Sequence, residues 1–65
     1  MSQIKKGDKV IYRLDGKEYE IIRTTKAIMV GTVFWFIDEK GNEKVDAKKN
    51  YTWFDGTWVP KEKQW

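Results

Sequence analysis

The sequence predicts a small all-β domain, and three observations predict it. Two Asp-Gly pairs, Asp15-Gly16 and Asp55-Gly56, each stand between runs rich in Val, Ile, Tyr, Phe, Trp and Thr. Asp-Gly favours a two-residue hairpin because both of its positions take φ > 0. The other turn residues are evenly scattered and leave stretches of about 5–8 residues, the usual length of strands. No segment carries an apolar stripe of helical period. With 65 residues, the chain reads as one domain spanning 1–65. That is near the size at which a single core contributes only about 3–5 kcal/mol.

The first hairpin joins Lys9–Leu14 to Lys17–Arg23. A two-residue turn at Asp15-Gly16 sets Leu14 opposite Lys17, Arg13 opposite Glu18, Tyr12 opposite Tyr19 and Val10 opposite Ile21. Alternation then puts Val10, Tyr12, Leu14, Tyr19 and Ile21 on a core side. Arg13 and Glu18 become a cross-strand ion pair on the wet side. Ala27–Ile37 is apolar on both sides, with Ile28, Val30, Phe34 and Phe36 facing one way and Met29, Val33, Trp35 and Ile37 the other. Such a strand must be covered twice or must bend between two layers, and Gly31 at its middle permits the bend. A long strand bent between two orthogonal sheets is how a small barrel closes.

Asp38–Asn42 reads as a polar turn into a short strand, Glu43–Ala47, and Lys48-Lys49-Asn50 as the next loop. Tyr51–Pro60 is the second hairpin, with Phe54 opposite Thr57, Trp53 opposite Trp58 and Thr52 opposite Val59. Pro60 lacks an N–H for the ladder, so it ends the strand or marks an edge. Residues 1–4 and 61–65 are expected to fray unless Trp65 docks back.

Lys5-Lys6-Gly7-Asp8-Lys9-Val10 followed by a hairpin resembles the opening of small SH3-like barrels, including the KOW and Tudor-like groups. Gly31-Thr32-Val33, entering a strand that ends in an acidic Gly-containing turn, is similar to their middle strands. The resemblance covers about half the chain and implies a five-stranded SH3-like barrel; an OB-like barrel or an open antiparallel sheet is the alternative. A KOW pattern has further glycines after the first strand, whereas residues 17–30 hold none. No family site residues carry over.

Composition narrows the chemistry. There is no Cys and no His, so disulfides, thiolate chemistry and nitrogen or sulfur metal ligands are excluded. The one serine, Ser2, is near the start of the chain, and GxxxxGK[ST] is absent; the expectation is no enzyme, no cofactor and no metal. Asp38–Glu43 is too short for a calcium loop. Nothing is long enough to span a bilayer, and the first residues lack the apolar stretch of a signal peptide. A cytoplasmic chain with no membrane partner is expected. Net charge is +3. All of it falls in residues 1–33, where Lys5, Lys6, Lys9, Arg13, Lys17, Arg23 and Lys26 outnumber Asp8, Asp15, Glu18 and Glu20.

Four Trp, three Tyr and three Phe are more than so small an interior holds. Phe34, Phe36 and Tyr12 are the expected core. Trp35, Tyr51, Trp53 and Trp58 are the expected surface platform, with Lys48, Lys49 and Arg23 as its cations. Trp, Tyr and Arg anchor protein interfaces, so the leading expectation is a non-catalytic module that captures a protein partner, for instance as a regulator. Nucleic acid on the same surface is the alternative, because bases stack on aromatic faces. The competing structural reading has Trp53 and Trp58 covering the open end of the core. Homodimerisation through apolar edge strands is a further expectation.

Overall fold

Both Asp-Gly pairs turn the chain, but only one does so as a two-residue hairpin. Asp55 and Gly56 have φ of 49° and 89°, the two positive values that a type I′ turn needs. The strands they join, Tyr51–Phe54 and Thr57–Pro60, pair in the predicted register, with Trp53 facing Trp58. Gly56→Ala is therefore expected to lower stability by about 1–2 kcal/mol, because a Cβ is strained at that φ. A urea midpoint equal to that of the parent protein would contradict this.

At Asp15-Gly16 only the glycine has positive φ, 72°. The Asp15 carboxylate instead accepts the Lys17 N–H at 2.8 Å and the Tyr19 hydroxyl at 2.6 Å. A side chain that offers the backbone such an acceptor competes with the tight turn. Tyr12 N–H donates to Lys17 O and Gly16 N–H to Tyr12 O, at 2.9 and 2.8 Å, so the loop runs from Arg13 to Gly16. Val10 consequently faces Tyr19, and Ile11 faces Glu18, a slip of two from the predicted register. A slip of two keeps each side chain on its expected side. It does remove Leu14 from the strand, where it is exposed, and it parts Arg13 from its expected place opposite Glu18.

The computed structural model describes residues 4–61. Within them lie β1 (Lys9–Ile11), β2 (Glu18–Glu20), β3 (Arg23–Ala27), β4 (Gly31–Ile37), β5 (Glu43–Ala47), a 3₁₀ turn (Lys48–Asn50), β6 (Tyr51–Phe54) and β7 (Thr57–Pro60). Two sheets result, ordered β2-β1-β7-β6 and β3-β4-β5. The all-β class is as predicted. The expected five strands are seven, and neither sheet closes on itself as a barrel.

Ala27–Ile37 is not one bent strand. Ala27 pairs with Gly31, and Ile28, Met29 and Val30 form the turn between β3 and β4. Gly31, at φ 82°, serves that turn rather than a bend. The chain changes sheets earlier. Ile21 still pairs with the first sheet's leading segment, donating its N–H to Asp8 O and accepting from Gly7 N–H, both at 2.8 Å. The next residue, Ile22, donates to Trp35 O at 2.9 Å in the second sheet.

Between the sheets lie Ile4, Val10, Ile21, Phe34, Phe36, Tyr51 and Trp58, with Tyr12 and Tyr19 packed against them. Val10, Ile21, Phe34 and Phe36 are fully buried, each contributing roughly 1.5–3 kcal/mol. The aromatic rings cross from sheet to sheet. Tyr19 stacks on Phe36 at 4.7 Å between centroids, and Tyr51 meets Phe34 edge-on at 5.3 Å. Of the termini expected to fray, Ile4 sits in this core, while Lys61 is exposed. Residues 1–3 and 62–65, including Trp65, lie outside the described residues.

Candidate functional surface

A buried carboxylate organises one end of the molecule. Asp46, on β5, accepts Arg13 Nε at 2.9 Å, the Tyr51 hydroxyl at 2.7 Å, Asn50 Nδ2 at 3.0 Å and the Ala47 N–H at 2.8 Å. The Tyr51 oxygen in turn accepts the Arg13 N–H at 3.1 Å. Burial pushes the Asp46 carboxyl up, but the hydrogen bonds from Tyr51, Ala47, Arg13 and Asn50 together outweigh it and hold it below its ordinary value. Burial, then the bond to Asp46, raises the Tyr51 phenol. Tyr19 is also pushed up, to about 12, mainly by its hydrogen bond to Asp15. Every buried side-chain polar atom among the described residues has a partner. The network ties the Arg13–Gly16 loop to β5 and β6. Both Asp46 oxygens and the Tyr51 hydroxyl are engaged within it, as a structural brace requires.

The expected aromatic platform is divided by the fold. Tyr51 and Trp58 are buried in the core, at 2% and 3% exposure, so neither offers a ring face to a partner. The reason is parity. With Trp58 beside Val10 on β1, both side chains turn inward together. Trp53 lies opposite Trp58 on the edge strand β6 and meets it edge-on at 5.3 Å, while 41% of its surface stays exposed. Trp58 Nε1 donates to Asp8 Oδ2 at 3.2 Å. Lys48 Nζ lies 5.4 Å from the Trp58 ring centroid, and Lys49 is exposed in the 3₁₀ turn.

Trp35 and Arg23 are elsewhere, on the outer side of the β3-β4-β5 sheet. Phe34 and Phe36 point inward from β4, so Val33, Trp35 and Ile37 point outward. Arg23 and Val45 flank Trp35 from the two neighbouring strands. The Arg23 guanidinium carbon lies 4.2 Å from the Trp35 ring centroid, and its Nη2 is 3.8 Å from Glu43 Oε1. Ile37 and Val45 are about half exposed. An antiparallel sheet with one wet side normally alternates apolar and polar residues; β4 breaks that rule with three outward apolar residues in succession. The two-sided apolar pattern of residues 33–37 was the signal for this surface. Val45, between charged residues, gave none.

The site thus reduces to one apolar sheet face with a cation stacked on its tryptophan. Among the described residues no cluster of acidic side chains is placed to hold a metal ion, and no helix is long and apolar enough to cross a membrane. What the fold and this face define is a small two-sheet all-β domain with a partly apolar exterior. Comparison with protein-family models, curated proteins and solved structures returned no match.

Proposed function

We propose that the domain is a non-catalytic binding module that captures a protein partner on the outer face of β3-β4-β5. The observation carrying this reading is the outward stripe Val33, Trp35 and Ile37 with Val45 beside it, bordered by the Arg23–Glu43 pair. Tryptophan and arginine are enriched at the centres of interfaces, where a rim excludes water. The Arg23 guanidinium already restrains the Trp35 ring, which reduces the ordering cost on binding. The proposal also places the fold beside small SH3-like domains as an unclosed relative, on the support of two short sheets sharing one aromatic core.

A photo-crosslinking residue at Val45, with Glu18 as the control position on the other sheet, identifies the partner. Titration of the purified partner then tests the face. Trp35→Ala and Val45→Lys are each expected to weaken binding by about tenfold or more, roughly 1.4 kcal/mol, with little change in melting temperature. Binding equal to that of the parent in both variants would sink the proposal. A steep loss of affinity with salt would point to phosphates and nucleic acid instead. If sedimentation shows a dimer that Val45→Lys dissolves, the occupant is a second copy of the chain.

A further inference from the structure

The turn between β3 and β4 is built in a way that neither the core nor the proposed protein-binding face uses. Ile28 is 100% exposed and Met29 94%, with Val30 partly exposed beside them. Turns normally carry Gly, Pro, Asn, Asp or Ser; this one presents three apolar side chains to solvent. Directly beneath it is a cleft lined by Ile4, Thr24, Thr25, Lys26, Thr32 and Lys48. Lys26 faces Thr32 across the last rungs of the hairpin. The cleft therefore combines two cations with the hydroxyls of Thr24 and Thr32. Thr25, paired with Val33, turns to the outer side, and no acidic residue contributes to the cleft. None lies anywhere from Ile21 to Ile37.

We infer that this end of the molecule docks on an anionic lipid surface, with Ile28 and Met29 entering the acyl boundary and Lys26 and Lys48 holding lipid phosphates. Met29 is at the middle of the Ile28–Val30 turn, past the last hairpin rung, whereas Lys26 is one rung back on β3. The apolar tip therefore stands beyond the cations, in the order that acyl chains and headgroup phosphates require, and interfacial segments bury their apolar side about 5–10 Å deep. Lysines near such a surface are attracted by its negative potential, and the threonine hydroxyls supply donors to phosphate oxygen. Among the described residues no helix is long and apolar enough to cross a membrane, but lying on a membrane surface requires no spanning segment. Nucleic acid fits less well: bases stack on aromatic rings, and the cleft has none. The inference is independent of the outer-face proposal, because Lys26 and Thr32 turn toward the opposite side of the sheet from Trp35.

The test is co-sedimentation of the full chain with vesicles of phosphatidylcholine alone and of phosphatidylcholine mixed with phosphatidylserine. Binding is expected only to the mixed vesicles and is expected to fall as salt rises. The double variant Ile28→Asp, Met29→Asp is expected to lose about tenfold or more of that partitioning. Its melting temperature should be unchanged, since both side chains are outside the core. Lys26→Glu should cause a comparable loss. A polarity-sensitive fluorophore on Met29→Cys should shift to the blue with mixed vesicles only. No partitioning into the mixed vesicles at low salt overturns the inference, as does sedimentation without any fluorophore shift. Binding of a single-stranded oligonucleotide that depends on Lys26 but ignores the tip variant, with no vesicle binding, overturns it in favour of nucleic acid.

Discussion

Trp58→Ala is expected to leave most of the protein unfolded at room temperature. The indole is 3% exposed and meets Trp53 edge-on, and its N–H is satisfied by Asp8. Truncating a buried Phe or Trp costs about 3–5 kcal/mol, and a single core of this size supplies about 3–5 kcal/mol in all. The variant also leaves Asp8 Oδ2 without the indole donor and strips the support beneath Trp53. Trp53→Ala, which removes a half-exposed ring from an edge strand, should cost only about 1 kcal/mol. Circular dichroism and urea titration separate the two. A folded Trp58→Ala domain with near-parental stability would mean that Trp58 is not a core residue. It would reopen the platform that the fold divides.

The second large effect is expected at Asp46. Asp46→Ala removes the acceptor for Arg13, Tyr51, Asn50 and the Ala47 N–H at once. Removing one member of a buried ionic network commonly costs about 3–5 kcal/mol. Here Arg13 keeps a third of its side-chain surface in water, at 33%, which reduces the loss to about 2–4 kcal/mol. Asp46→Asn retains an acceptor and should recover part of it. The same network predicts a pH profile. Asp46 binds its proton more weakly in the folded chain than in the unfolded one. Its contribution is therefore in place above about pH 4 and is lost as pH falls further. Tyr51 is the opposite case, because folding raises it; its contribution holds below about pH 10 and is lost as pH rises beyond it. Urea midpoints across both limbs test this. An acid limb that is identical in Asp46→Asn and the parent would show that Asp46 does not carry it.

How much of the molecule was legible beforehand depended on the range of the forces involved. Tyr51–Pro60 was legible in full, since a type I′ turn at Asp55-Gly56 fixes register by backbone geometry alone. Asp38–Asn42 was equally local, with the Asp38 carboxylate accepting the Lys40 and Asn42 N–H groups. Asp15-Gly16 carried the same dipeptide and a different outcome. There the Asp15 side chain reaches Tyr19, and Arg13 is drawn across to Asp46, which is distant in sequence. Gly31 misled for a related reason. A glycine with positive φ serves a bend or a turn equally well, and only the pairing of Ala27 with Gly31 chose the turn.

The all-β class, the alternation that puts Val10, Phe34 and Phe36 inside and Trp35 outside, and the second hairpin's register are all written locally in the chain. These follow from steric limits and period-two side-chain placement, which act over a few residues. Long-range packing settled that Tyr51 and Trp58 are core and that Val45 stands beside the outward Trp35. It also left Ile28 and Met29 in solvent. Composition states how many aromatic and apolar groups exceed the interior. Which of them enter is settled by the crossing at Ile21–Ile22 and by the packing of one sheet's rings against the other's, interactions between residues far apart in the chain.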